Sequence, residues 1–156
     1  MKETGTQEQN NVNINQKAER LADSLWQLTS EWGDFARSSV GLPLMQAVDS
    51  VSVQLALSLG RKPVKEHMQH VSHARRNLTP ASYWLQRATI RGLIDQAQAK
   101  ALVEQMTDLA RHLDQHAGNI VKATNEKLAE GKAKGADTGK ETEHDEASAI
   151  EAAVAH

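Results

Sequence analysis

The chain has 156 residues, 39% of them hydrophobic, with 18 Lys or Arg against 20 Asp or Glu and no cysteine. The length suits one domain plus tails, and the low hydrophobic share leaves part of the chain outside a core. Without cysteine there is no disulfide and no thiolate to act as nucleophile or metal ligand.

The net charge of −2 is unevenly spread: residues 1–16 carry −1, residues 17–122 carry +3 and residues 123–156 carry −4. β-branched and aromatic residues are sparse, with one Phe and one Tyr beside three Trp, which favours helix over sheet. The N-terminus lacks the apolar region of a signal peptide, and no apolar run reaches the roughly 18 residues of a membrane span. A cytoplasmic location is therefore the expectation.

Residues 1–15, rich in Asn, Gln and Glu, have no apolar period and read as a disordered tail. A first helix is expected from about Gln16, with Leu21, Leu25, Leu28, Trp32 and Phe35 alternating steps of four and three along one face. Gly33 marks its fraying end, and Ser38 to Pro43 reads as a break, with Pro43 in the first turn of the next helix.

The second helix is expected to run to about Leu59 and to close on Gly60. Leu44, Val48, Val51 and Leu55 form one stripe, while Leu42, Val53 and Leu57 lie on roughly the opposite side. Apolar residues on two sides predict burial on two sides, the second against another subunit. A third helix follows from about Val64 to Ile90, kinked at Pro80 with Ala74, Leu78, Leu85 and Ala88 on one face across it. Arg91-Gly92 ends it and Asp95 caps a fourth, whose stripe is Leu102, Met106, Leu109, Leu113, His116 and Ile120. Residues 123–156 read as an acidic, flexible tail with an Ala-rich stretch from Glu146 too short for a stable helix alone. Short turns between four helices predict an all-α, antiparallel up-down-up-down four-helix bundle over residues 16–122.

The third helix carries the string Ala74-Arg75-Arg76-Asn77-Leu78-Thr79-Pro80-Ala81-Ser82-Tyr83-Trp84-Leu85-Gln86-Arg87-Ala88, followed by Arg91-Gly92-Leu93. It resembles the bacterial four helix bundle protein family, whose third helix commonly reads A-R-G-S-L-x-E-T-x-Y-W-L-x-R-A and then R-G-L. That family includes proteins encoded in intervening sequences of 23S ribosomal RNA genes and the accessory variability proteins of diversity-generating retroelements. Here Arg76-Asn77 stands in place of Gly-Ser, and Pro80-Ala81 in place of Glu-Thr. The family's N-I-A-E-G in the second helix is matched by Gln54-Leu55-Ala56-Leu57-Ser58, so both acids are missing. The resemblance implies a homo-oligomer, commonly a pentamer, and for the retroelement branch binding to nucleic acid and to a reverse transcriptase.

The residues themselves offer one functional lead. Arg61, Lys62, Lys65, Arg75, Arg76, Arg87 and Arg91 are opposed between positions 61 and 91 only by Glu66, a balance of +6 that attracts RNA or DNA phosphates. The same pattern also fits a solvated helix face. Tyr83 and Trp84 suit base stacking or, with Leu42, Val53 and Leu57, an oligomer interface.

His67, His70 and His73, and the pair His112 and His116, have helical spacings that suit metal, but nothing supplies an acidic third ligand. No metal site and no cofactor is expected. No nucleophile elbow, phosphate-binding Gly loop or carboxylate pair is present, so an enzyme is not expected. The readings that remain are a homo-oligomeric accessory protein for nucleic acid or a partner enzyme, a protein-binding scaffold without nucleic acid, and a structural remnant of a mobile element.

Overall fold

A computed structural model of the chain describes residues 3–136. Four helices account for nearly all of them: α1 (Glu3–Ser30), α2 (Asp34–Ser58), α3 (Val64–Ile90) and α4 (Gln96–Gly135). Each packs on its neighbour in the chain, α4 also packs on α1, and among the described residues neither diagonal pair is in contact. The connections are too short to cross the bundle, so neighbours are antiparallel and the four helices enclose one core.

The apolar stripes meet as their spacing requires. Leu21 and Leu25 of α1, Leu44, Val48, Val51 and Leu55 of α2, Leu78 and Leu85 of α3, and Leu102, Leu109 and Leu113 of α4 are all buried. The helix ends follow their local chemistry too. Asp95 accepts a hydrogen bond from the Gln98 N–H at 2.8 Å and so caps α4. Gly92 takes a positive φ of 74°, which lets the Leu93 N–H reach back to the Ala88 carbonyl at 2.9 Å and close α3. Gly60, after α2, has φ 88°.

The helices differ from expectation in three places. First, α1 starts at Glu3, ahead of the expected start near Gln16. Ile14 is buried and shares a small cavity with His112, His116 and Asn119 of α4, and from this anchored turn the helix needs no new nucleus to run back to Glu3. Second, α4 continues beyond Val121 to Gly135, through what read as linker. Extending a formed helix needs no new nucleus, and the Ala, Lys and Glu of this stretch offset Gly131. The expectations for residues 137–156 lie outside the described residues.

Third, the break falls at Glu31–Gly33 and not at Ser38–Pro43. Gly33 is extended (ψ 157°), so Phe35 belongs to α2 and is 86% exposed, off the α1 stripe. Residues Arg37–Gly41 form a π turn in which the Leu42 N–H bonds to the Arg37 carbonyl, five residues back. A proline ring crowds the carbonyl one turn before it, and the widened turn accommodates Pro43 within a continuous helix. Pro80 likewise sits inside α3 without ending it.

By length and composition α2 would suffice to cross a bilayer, although no such run stood out in the sequence. Its stripe through Leu44, Val48, Val51 and Leu55 is core, and Leu42, Val53 and Leu57 are exposed on its outer side.

Candidate nucleic-acid interface

α3 is a 27-residue helix whose apolar side, through Met68, Val71, Ala74, Leu78, Ala81, Leu85 and Ala88, is buried. Its other side carries cations at a regular interval. Lys65, Arg76 and Arg87 are eleven residues apart, which is close to three helical turns, so they stack on one face about 16 Å apart. Lys65 and Arg76 are exposed and Arg87 is half-buried. Arg61 in the turn before α3 and Arg91 just after it are exposed as well.

The seven predicted cations do not act alike. Lys62 is bound to Glu66 one turn on at 2.8 Å, and the pair holds the Glu66 carboxyl below its ordinary pKa, chiefly through that hydrogen bond. Arg75 points sideways to Asp114 of α4 at 3.0 Å. Both therefore neutralise a local acid. Arg87 lies over the Tyr83 ring, 5.7 Å from its centroid, with its Nε buried and unpartnered. Arg61, Lys65, Arg76 and Arg91 have no ion pair among the described residues. Four of the seven cations are thus exposed and without an ion pair among the described residues, half-buried Arg87 continues the face of Lys65 and Arg76, and the single acid of the segment is already occupied.

The predicted interface residues are divided between elements. Leu42, Val53 and Leu57 are exposed on α2, Tyr83 is exposed on α3, and Trp84 packs partly against its own core. Trp84 is therefore a wall of the bundle, meeting Tyr83 edge to face with centroids 5.3 Å apart.

The histidines are arranged across helices, which their spacing along each helix does not reveal. His67 of α3 meets His116 of α4, and His70 meets the Gln54 side chain of α2 at 2.9 Å. His112 lies 3.3 Å from Lys17 of α1 and beside Asp108. Hydrogen bonds from Lys17, then from Arg111, lower the Asp108 pKa to about 2. Burial, and then the neighbouring His67, lowers the pKa of His116 to about 4. On α2, partial burial and then the nearby Asp23 raise the pKa of Asp49. Among the described residues no group of three or more His, Cys, Asp or Glu converges to hold a metal ion.

Residues 10–115 match the family described as 23S rRNA-intervening sequence protein. No curated protein and no solved structure matches the chain.

Proposed function

The chain belongs to the 23S rRNA-intervening sequence protein family, and from that premise we propose that it is a non-enzymatic, homo-oligomeric accessory protein of the cytoplasm that binds nucleic acid along α3. The observation that carries this reading is the cation line of Lys65, Arg76 and Arg87 between Arg61 and Arg91, free of neutralising partners within the described bundle. Cations spaced along one rigid helix match a phosphate backbone better than a single small anion, because their fields add over the length of the helix. Repetition of the line around an oligomer, a pentamer by family resemblance, multiplies that field. The same resemblance suggests a reverse transcriptase as protein partner, with the bundle delivering RNA or DNA to it.

The direct test is binding of RNA and DNA as a function of salt, with Lys65→Glu and Arg76→Glu combined. These two side chains are exposed and have no ion pair among the described residues, so the substitution should leave the bundle intact, whereas Arg75→Glu would also set a second acid against Asp114. The slope of log affinity against log salt should fall by about 1.5 per protomer in the double variant. Absence of binding at low salt would dismiss the reading.

The exposed Leu42, Val53 and Leu57 favour a second reading, a scaffold for protein partners in which the cations only solvate α3. Partner capture that survives nuclease treatment and the double variant would favour it.

A further inference from the structure

Gly33 places Phe35 at the start of α2, out of the core and 86% exposed. It is not isolated there. Phe35 and Ser39 of α2, Trp84 of α3, and Arg91 and Leu93 after α3 line one open cavity of about 570 Å³, within the roughly 300–1,000 Å³ usual for small-ligand sites. Phe35 and Trp84 are its two aromatic side chains, and Arg91 is the one cation of its lining. Asp34, next to Phe35, is paired with Arg37, and Arg91 has no ion pair among the described residues. Tyr83 abuts Trp84 and Arg87 lies over Tyr83, so a chain of side-chain contacts leads from the cavity wall to the cations of α3.

We propose that the pocket of Phe35, Trp84 and Arg91 takes one nucleotide of a single-stranded nucleic acid, with its base on Phe35 and its phosphate on Arg91. An aliphatic side chain from a protein would cover Phe35 and leave Arg91 unmatched. A bare phosphate would match Arg91 and leave the ring in water. A nucleotide satisfies both, because every base has an aromatic face linked to a phosphate. A duplex keeps its bases stacked on one another and so cannot enter. The proposal rests on the reading that α3 binds nucleic acid and adds that the strand is single and is held by a base at the Arg91 end.

The test compares, on the full chain at low salt, a labelled single-stranded oligonucleotide with a strand of equal length made of abasic residues. The intact strand should bind about tenfold tighter. Phe35→Ala should erase that preference and leave abasic binding unchanged, and Phe35→Tyr should restore it. Arg91→Gln should weaken both strands, and Lys65→Glu with Arg76→Glu should weaken both further at an unchanged ratio. Equal binding of the two strands by the unaltered protein, or a preference that survives Phe35→Ala, overturns the pocket while the cation line stands. Failure of both strands to bind overturns pocket and line together. A Phe35→Ala variant that changes only the oligomeric state assigns the pocket to a protein contact and overturns the proposal.

Discussion

His67 of α3 and His116 of α4 meet Nε2 to Nε2 at 3.0 Å, with the rings edge to face. The proton arrangement follows from the third partner. His67 Nδ1 is 2.8 Å from the Ser58 carbonyl, which only accepts, so Nδ1 carries the hydrogen. In a neutral His67 the Nε2 then accepts, and His116 donates to it. The carbonyl at the C-terminus of α2, α3 and α4 are thereby tied together by one chain of hydrogen bonds. His116 is only 8% exposed, so burial disfavours its charged form.

Stability should therefore fall as the pH falls from neutral towards 4. The His116 pKa is lowered from 6.5 to about 4 in the fold, so between those values the unfolded chain binds a proton that the native chain refuses. Across the full window the loss amounts to about 3 kcal/mol. Thermal melts between pH 7 and pH 4.5 should show a falling Tm, and His116→Leu should flatten the trend. The contribution of Asp108 is lost only below its ordinary value of 3.8, towards about 2, and stays outside that window. An unchanged slope in His116→Leu would rule out this origin.

Leu113 is 0% exposed, at the centre of the α4 stripe. Leu113→Ala should cost about 3 kcal/mol, because removal of the side chain leaves a cavity that the surrounding helices fill only in part. Denaturant unfolding of the two proteins checks this, and a loss under 1 kcal/mol would mean that the site is not packed as described.

The α3–α4 turn depends on two residues with different physics. Asp95→Ala removes the acceptor for the Gln98 N–H and should cost about 1 kcal/mol. Gly92→Ala meets no neighbouring atom within 4 Å, so its cost of about 1 kcal/mol should come from the positive φ alone. The two changes lie close together at one turn, and their double variant should show whether they add.

Val53 and Leu57 lie one turn apart on α2, about half exposed. Val53→Glu with Leu57→Glu should leave helix content and protomer folding unchanged while dissociating an oligomer. Light scattering on a sizing column reads the mass directly. A variant that keeps the mass of the unaltered protein would place the subunit contact elsewhere.

The sequence by itself determined the bundle. Leucines at steps of three and four can bury together only as helices packed side by side, and Gly92 and Asp95 stop or start those helices through chemistry confined to a few residues. It also revealed the basic stretch, since charge can be counted along a chain. What only the tertiary structure decided depends on which helix lies opposite which. The register of α3 against α4 sets Arg75 on Asp114, leaves Arg76 without an ion pair among the described residues, and joins His67 to His116, 49 residues away. Ile14 is buried beside His112 and His116 of α4, a neighbour that its own stretch of sequence does not reveal. The placement of the α1–α2 turn moves Phe35 from an apparent core stripe to the rim of a pocket. Spacing along one helix fixes which side a residue takes, and the packing of a second helix fixes what that side meets.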